Sequence, residues 1–295
     1  MTPTTRTITE ILHVELAGIK IPPRPSVMLS IEREMRNPAP NFGTLEEIIS
    51  LDVGISGSLL KIANSTFFGY NGHARTIKEA LQILGLNTVA TAIAALSLRK
   101  AFAHVPNLER FWDSSARIAQ LSGWLVPRLD ICRGKLRPDE AFTFGLFRDC
   151  GIPVLMSMYA DYFEILKAAN SEEVRPFTAI EEDEMGLSHA TVGAALAVEW
   201  QLPQEFQVAI AWHHDRDTIL GQSPHAAPED TARYFMAISQ LAEYLFQKLS
   251  DMNKTCEWTK LGDACSETLG LQADEAIEAL LQAARESELF ATPGS

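Results

Sequence analysis

Four cysteines in 295 residues, none in a Cys-x-x-Cys pair or at a Cys/His metal spacing, leave neither a disulfide framework nor a thiolate metal site to organise the chain. Cys132, Cys150, Cys256 and Cys265 read as isolated thiols, two of them in apolar helical contexts where a thiol acts as a small hydrophobe. Basic residues are scarce: 25 Lys and Arg against 38 Asp and Glu give a net charge of −13 and a pI near 5.0, the wrong sign for a phosphate-binding surface. Arg128, Arg133, Lys135 and Arg137 form the best local basic run, and in a polar turn such a run is solvated surface. Long apolar stretches are missing too. Residues 89–98 are too few to span a bilayer, and the polar first ten residues lack the apolar core of a secretory signal. These absences predict a cytoplasmic protein with no membrane and no nucleic-acid partner. No segment alternates apolar and polar residues as a half-buried strand does, and no repeat recurs at a fixed period.

What is present is helical periodicity. Ile8, Ile11, Leu12, Leu16 and Ile19 fall three and four apart and predict a short amphipathic helix, which Pro22, Pro23 and Pro25 interrupt. A helix restarts over residues 26–35. Thr44-Leu45-Glu46-Glu47 has the form of a capping box and predicts a helix start there, while Asp52 caps a helix carrying Ile55, Leu59, Leu60, Ile62 and Ala63. Thr76-Ile77-Lys78-Glu79 is a second capping box, and Gly85 ends the helix it opens. Residues 87–102 are Ala-rich and apolar nearly all round, which predicts burial on several sides. Further helices are predicted over residues 111–126, from Pro138 onward, from Pro153 to about residue 169, over 189–201 behind the capping Ser188, and over 204–214. Beyond a Pro- and Gly-containing loop at 221–228, helices are predicted at 231–249, 258–269 and 274–287. The fold class is all-α.

One stretch stands out: Gly145-Leu146-Phe147-Arg148-Asp149-Cys150-Gly151-Ile152-Pro153 sets an Arg-Asp pair inside the most apolar helical layer. Charges occupy such a layer only with partners, so the pair is either a buried salt bridge or part of a site.

That stretch belongs to a larger pattern: Ile21-Pro22-Pro23-Arg24-Pro25, then Leu59-Leu60-Lys61-Ile62-Ala63-Asn64-Ser65 with Phe67-Phe68-Gly69. Ile77-Lys78-Glu79-Ala80 and Leu84-Gly85-Leu86 follow, then Arg148-Asp149, then His189 with Trp200-Gln201-Leu202-Pro203. Together these resemble the HDOD domain, a signalling relative of the HD phosphohydrolases. The resemblance implies an HD-like helical bundle over residues 14–217, with an N-terminal half at 14–105 and a degenerate HD-like half at 106–217, followed by a helical extension at 228–295. It also implies a module that usually performs no chemistry and acts in bacterial signalling, often beside receiver, cyclic di-GMP turnover or kinase domains. The expected partner is then a protein of a signalling pathway; the apolar stripe from Tyr234 to Leu249 either packs on its own domain, as such stripes more often do, or offers a face for such a partner or for a homodimer.

An HD-type hydrolase holds one or two metals on imidazoles and carboxylates, and the metal lowers the pKa of a bound water. By the same resemblance the first metal-binding His falls near Ser114 and the His of the His-Asp pair falls on Arg148. Arg148 has no lone pair and keeps its charge, which about 4 Å from a metal costs several kcal/mol. The expectation is therefore no metal, no cofactor and no catalytic residue. The residues left for a reduced, single-metal site are Asp149, His189, His213, His214 and Glu243. Neighbours on a helix point about 100° apart, so His213 and His214 face one ion only if the helix has already ended. The plainer reading puts His189 in a first turn behind the capping Ser188, and His213 and His214 in a last turn, where a partial positive charge suits the helix dipole. Arg148 is either a clamp for an anion or a partner of Asp149, Asp113 or a helix-end carbonyl. Cys150 beside it reads as an inert core thiol. Asn64, Ser65, Phe67, Phe68 and Tyr70 form a polar-aromatic turn that is either a recognition surface or, as preferred, a helix end satisfied by Asn64 and Ser65 with the two Phe rings plugging the core. Three functions remain open: a non-catalytic signalling module, a divergent phosphohydrolase of a nucleotide or cyclic dinucleotide, and an anion sensor built on Arg148.

Overall fold

The computed structural model describes residues 19–64, 74–223, 229–250, 252, 254–271 and 274–287, and among them every regular element is a helix. The helix predicted from Ile8 to Ile19, except Ile19 itself, and the turn residues Ser65, Phe67, Phe68, Gly69 and Tyr70 lie outside the described residues; Ile19 is not helical. The chain divides into two compact units, Pro23–His104 and the remainder.

The Pro23–His104 unit holds five helices: α1 (Ser26–Met35), α2 (Phe42–Ser50), α3 (Val53–Ala63), α4 (Ile77–Leu84) and α5 (Leu86–Ala101). Their inward faces bury Ile31, Leu45, Ile49, Leu59, Leu81 and Ile93 in one cluster. Asp52 caps α3 through Gly54 N–H and Ile55 N–H, and Thr76 and Glu79 close the reciprocal capping box of α4. The start of α2 differs from the expectation. Asn41, not Thr44, is the cap, because its side chain accepts from Gly43 N–H and Thr44 N–H and so begins the helix at Phe42. Asn64 pins the chain beyond α3 by bonding both Ala74 N–H (2.6 Å) and Ala74 C=O (3.0 Å). Gly85, at φ 74° and ψ 161°, takes a positive-φ conformation open mainly to glycine, which lets α5 follow α4 at once, bent by 114°. No single helix among the described residues is long and apolar enough to cross a membrane.

The second unit is built on α6 (Glu109–Leu125), α7 (Pro138–Phe147), α8 (Gly151–Met158), α9 (Tyr162–Ser171), α10 (Phe177–Met185), α11 (His189–Glu199) and α12 (Gln204–Trp212). The short α13 (Arg216–Leu220), the long α14 (Asp230–Ser250), α15 (Glu257–Leu269) and α16 (Asp274–Glu286) complete it. α14 runs against α6, α7, α12 and α15, and α11 packs on α8 and α12. Trp200, fully buried, donates its indole N–H to Pro22 C=O at 2.9 Å.

The single helix expected from Pro153 to about residue 169 is two. α8 starts earlier, at Gly151, with Pro153 in its first turn where a missing N–H is harmless, and the chain breaks at Tyr159 before α9. That break buries the Tyr162 ring completely. α10 and α13 have no counterpart in the expectations, since α10 is acidic with no apolar period and α13 spans one turn.

Gly151 sets how closely α8 approaches α11: a Cβ there would lie 2.0 Å from His189 C=O and 2.7 Å from Gly193 N. Backbone cannot yield as a side chain does. Gly151→Ala is therefore expected to lower the free energy of unfolding by roughly 2 kcal/mol or more, measured by urea titration; a variant as stable as the parent would contradict this packing.

Candidate metal centre

The site begins where α7 ends. Arg148 is the C-terminal cap of α7, with its N–H donated to Phe144 C=O at 2.8 Å, and Asp149 lies in the turn before α8. Arg148 is only 3% exposed, so its guanidinium needs partners inside the protein. It donates from Nε (3.1 Å) and Nη2 (2.7 Å) to Asp149 Oδ2, lies 3.1 Å from Glu243 Oε2, and donates from Nη1 to Ser239 C=O at 3.2 Å. Of the partners expected from sequence, Asp149 is the one found. Asp113 is exposed on α6, and the carbonyl comes from the middle of α14 instead of a helix end. Burial alone would lower the Arg148 pKa, but the Asp149 and Glu243 charges outweigh it and push it up. Burial likewise opposes the charge on Asp149, yet the guanidinium holds that carboxyl well below the usual range. Glu243 moves the other way, raised by its burial and by Asp149, with Arg148 offsetting only part.

The other Asp149 oxygen, Oδ1, faces histidines: it is 3.2 Å from His213 Nε2 and 3.6 Å from His189 Nε2. His189 Nε2 is in turn 3.4 Å from His213 Nε2 and 3.3 Å from His214 Nε2. The four ligand atoms of Asp149, His189, His213 and His214 lie within 4.8 Å of one another. Sequence reasoning opposed this convergence because adjacent helical residues diverge. The structure removes the objection, since α12 stops at Trp212, His213 is its cap, and both rings turn inward with centroids 4.1 Å apart.

The outer nitrogen of each ring fixes its tautomer. His213 Nδ1 is 2.8 Å from Ile210 C=O, which can only accept, so Nδ1 carries the proton. His189 Nδ1 is 2.8 Å from Glu181 Oε2, and His214 Nδ1 bonds Glu257 Oε2. Glu181, fully buried, also accepts from Tyr162 O–H and from His189 N–H. Burial works against the charge on Glu257, but His214 and Lys260 hold it at about 2. Were all three imidazoles neutral in these orientations, three Nε2 lone pairs would point at one another. Such a cluster is repulsive unless a positive charge sits in it. A proton is one answer: burial disfavours it, but Glu181 and Asp149 push His189 up to about 10, while burial and then His214 press His213 down to about 3. A metal is the other. Donors about 2.0–2.1 Å from a tetrahedral ion are separated by roughly 3.3 Å; the spacings that join His189 to the other three donors and His213 to Asp149 are 3.2–3.6 Å, and all four donors lie within 4.8 Å of one another. The donor set fits one divalent ion.

Ser114 gives its hydroxyl to Arg110 C=O at 2.7 Å on its own helix. The Cys150 thiol is held protonated by burial and the neighbouring Asp149 charge. Glu181, Glu257, Tyr162 and Ser239 were not found from sequence. Glu181 sits in a Glu-Glu-Asp-Glu run that reads as solvated, and no local signal marks the others. A cavity of about 720 Å³ opens onto Arg148, Asp149, His189, His214 and Glu243.

The described residues thus form an all-helical fold that carries a cluster of three histidines and an aspartate, with an Arg-Asp pair at a helix junction. The chain belongs to the HDOD domain family, whose model matches residues 21–216. It is 27% identical over 211 residues to an uncharacterized protein of Treponema pallidum (strain Nichols), a match covering 71% of this chain but 39% of that protein. The chain thus spans about two-fifths the length of that curated relative. Among solved structures it is similar to an HDOD domain protein of unknown function from Geobacter sulfurreducens (TM-score 0.60, 20% identity, 97% of this chain and 98% of that one). It is also similar to a candidate signal transduction protein from Marinobacter aquaeolei VT8 (0.65, 19%, 94% and 62%) and a candidate phosphohydrolase from Shewanella amazonensis SB2B (0.61, 19%, 96% and 98%). At these identities the likeness is one of fold.

Removing one member of a buried charge cluster strands the others. Arg148→Met is expected to cost roughly 3–5 kcal/mol of unfolding free energy in urea titrations, and Arg148→Met combined with Glu243→Leu to recover a measurable part; an Arg148→Met protein of unchanged stability would contradict the pairing.

Proposed function

We propose that the chain is a non-catalytic signalling module in which an HD-type centre is reduced to one metal ion, held by Asp149, His189, His213 and His214. The observation that carries this reading is the division of the Asp149 carboxylate. Oδ1 faces the three imidazoles and Oδ2 is taken by Arg148, which also pairs with Glu243. The guanidinium thus stands beside the shared aspartate where a second cation would have to sit. It brings charge but neither a lone pair nor a coordination position, and most of its donors already go to carboxylates and a carbonyl.

A bound divalent ion would supply an electrostatic cross-link between the α7–α8 turn, α11 and the end of α12. The chain's own residues do the rest. Glu181, Ile210 C=O and Glu257 hold the three ring orientations, and α14 delivers Ser239 and Glu243 to the guanidinium. Four protein donors and a fixed guanidinium describe a structural centre better than a hydrolytic one, which keeps an open position for water. The output is then contact with a protein of a signalling pathway. One observation favours the hydrolase instead: the cavity reaches Asp149, His189 and His214.

The test is elemental analysis of protein purified without chelator or affinity nickel, alongside assays with bis-p-nitrophenyl phosphate. About one equivalent of zinc, iron or manganese, lost in His189→Ala, with no turnover, is expected. Turnover that His189→Ala abolishes would make the chain an enzyme, and metal-free wild type would remove the centre.

A further inference from the structure

The cavity has a character that a structural centre does not require. Its side walls are apolar and come from α8 and α9: Ile152, Met156, Leu166 and Phe163. Phe163 is 54% exposed at this wall. The cavity, about 720 Å³ and open to solvent on one side, lies within the range of small-molecule sites. The lining carries the cations Arg110, Lys167 and Lys254 beside the exposed acid Glu109, while its other acids, Asp149, Glu243 and Glu257, are taken up by Arg148, the histidines and Lys260. Arg110 and Lys167 are exposed, and Lys167 is held only loosely, 3.8 Å from Glu164. Arg148, at the floor, has most of its donors committed and is not the cation such a site would use.

We infer that this cavity binds a small organic anion with a flat apolar body, the body lying on Phe163, Ile152, Met156 and Leu166 and the anionic group meeting Arg110 and Lys167. The ring body replaces water on a wall that is costly to leave wet. The two cations draw the charged end, and their pull weakens as salt rises. The inference goes beyond the single-metal reading and does not depend on it.

The probe is 1-naphthalenesulfonate, a poor metal ligand with no hydrolysable bond, titrated calorimetrically into the full chain before and after chelation. One saturable site is expected in both states, with sulfate and 1-naphthol each binding at least about tenfold more weakly, because each carries only half of the recognised chemistry. Phe163→Ala should weaken binding by roughly tenfold and Arg110→Gln by roughly three- to tenfold, the latter more at low salt. Leu51→Ser, at an apolar residue 88% exposed in the other unit, should leave it unchanged. Absence of saturable binding overturns the inference. So does failure of either cavity variant to weaken it, or equal weakening by Leu51→Ser. Binding that survives chelation in a protein shown to hold no metal would sink the metal centre alone.

Discussion

Asp149 divides one carboxylate between two cationic demands, the imidazole cluster at Oδ1 and the Arg148 guanidinium at Oδ2. A buried charge of either sign is tolerable only if it is matched, and the match has to come from several elements at once. That requirement accounts for much of the architecture around it. α7 must stop at Phe147 so that Arg148 and Asp149 can face inward from a turn, and α14 must lie where Ser239 and Glu243 reach the guanidinium. α8 must press its glycine onto the backbone of α11, the helix that His189 begins.

Much of the fold was legible locally. Asp52, the Thr76/Glu79 box, Pro138 and Ser188 mark helix starts through hydrogen bonds or φ preferences that span four residues, so the sequence carries them in place. The Thr44 signal failed because Asn41, three residues earlier, offers a better cap to the same turn. The break at Tyr159 was not legible, since it serves a distant contact, Tyr162 on Glu181. At the site, Asp149, His189, His213, His214 and Glu243 were named through resemblance, but their convergence was not. A helical period sends His213 and His214 apart, and only the end of α12 at Trp212 brings them together. Glu181 and Glu257 had no signal of their own, as a carboxylate that orients a ring looks like any other acid until the fold buries it.

On the proposed reading Arg148 stands where an HD-type centre would carry a histidine, and its guanidinium supplies Asp149 with a positive charge of fixed geometry but no lone pair for a metal. Membership of the HDOD domain family is compatible with that reading. Glu243 and Glu257 both fall beyond the residues the family model matches, so the C-terminal helices take part in the centre.

The most direct test of the central claim is anomalous diffraction at the zinc, iron and manganese edges from crystals grown without chelator. The account predicts one peak per chain, bounded by the Nε2 atoms of His189, His213 and His214 and by Asp149 Oδ1, with the Arg148 guanidinium still between Asp149 and Glu243. Two peaks, or a single peak on the Glu243 side with Arg148 displaced, would contradict it.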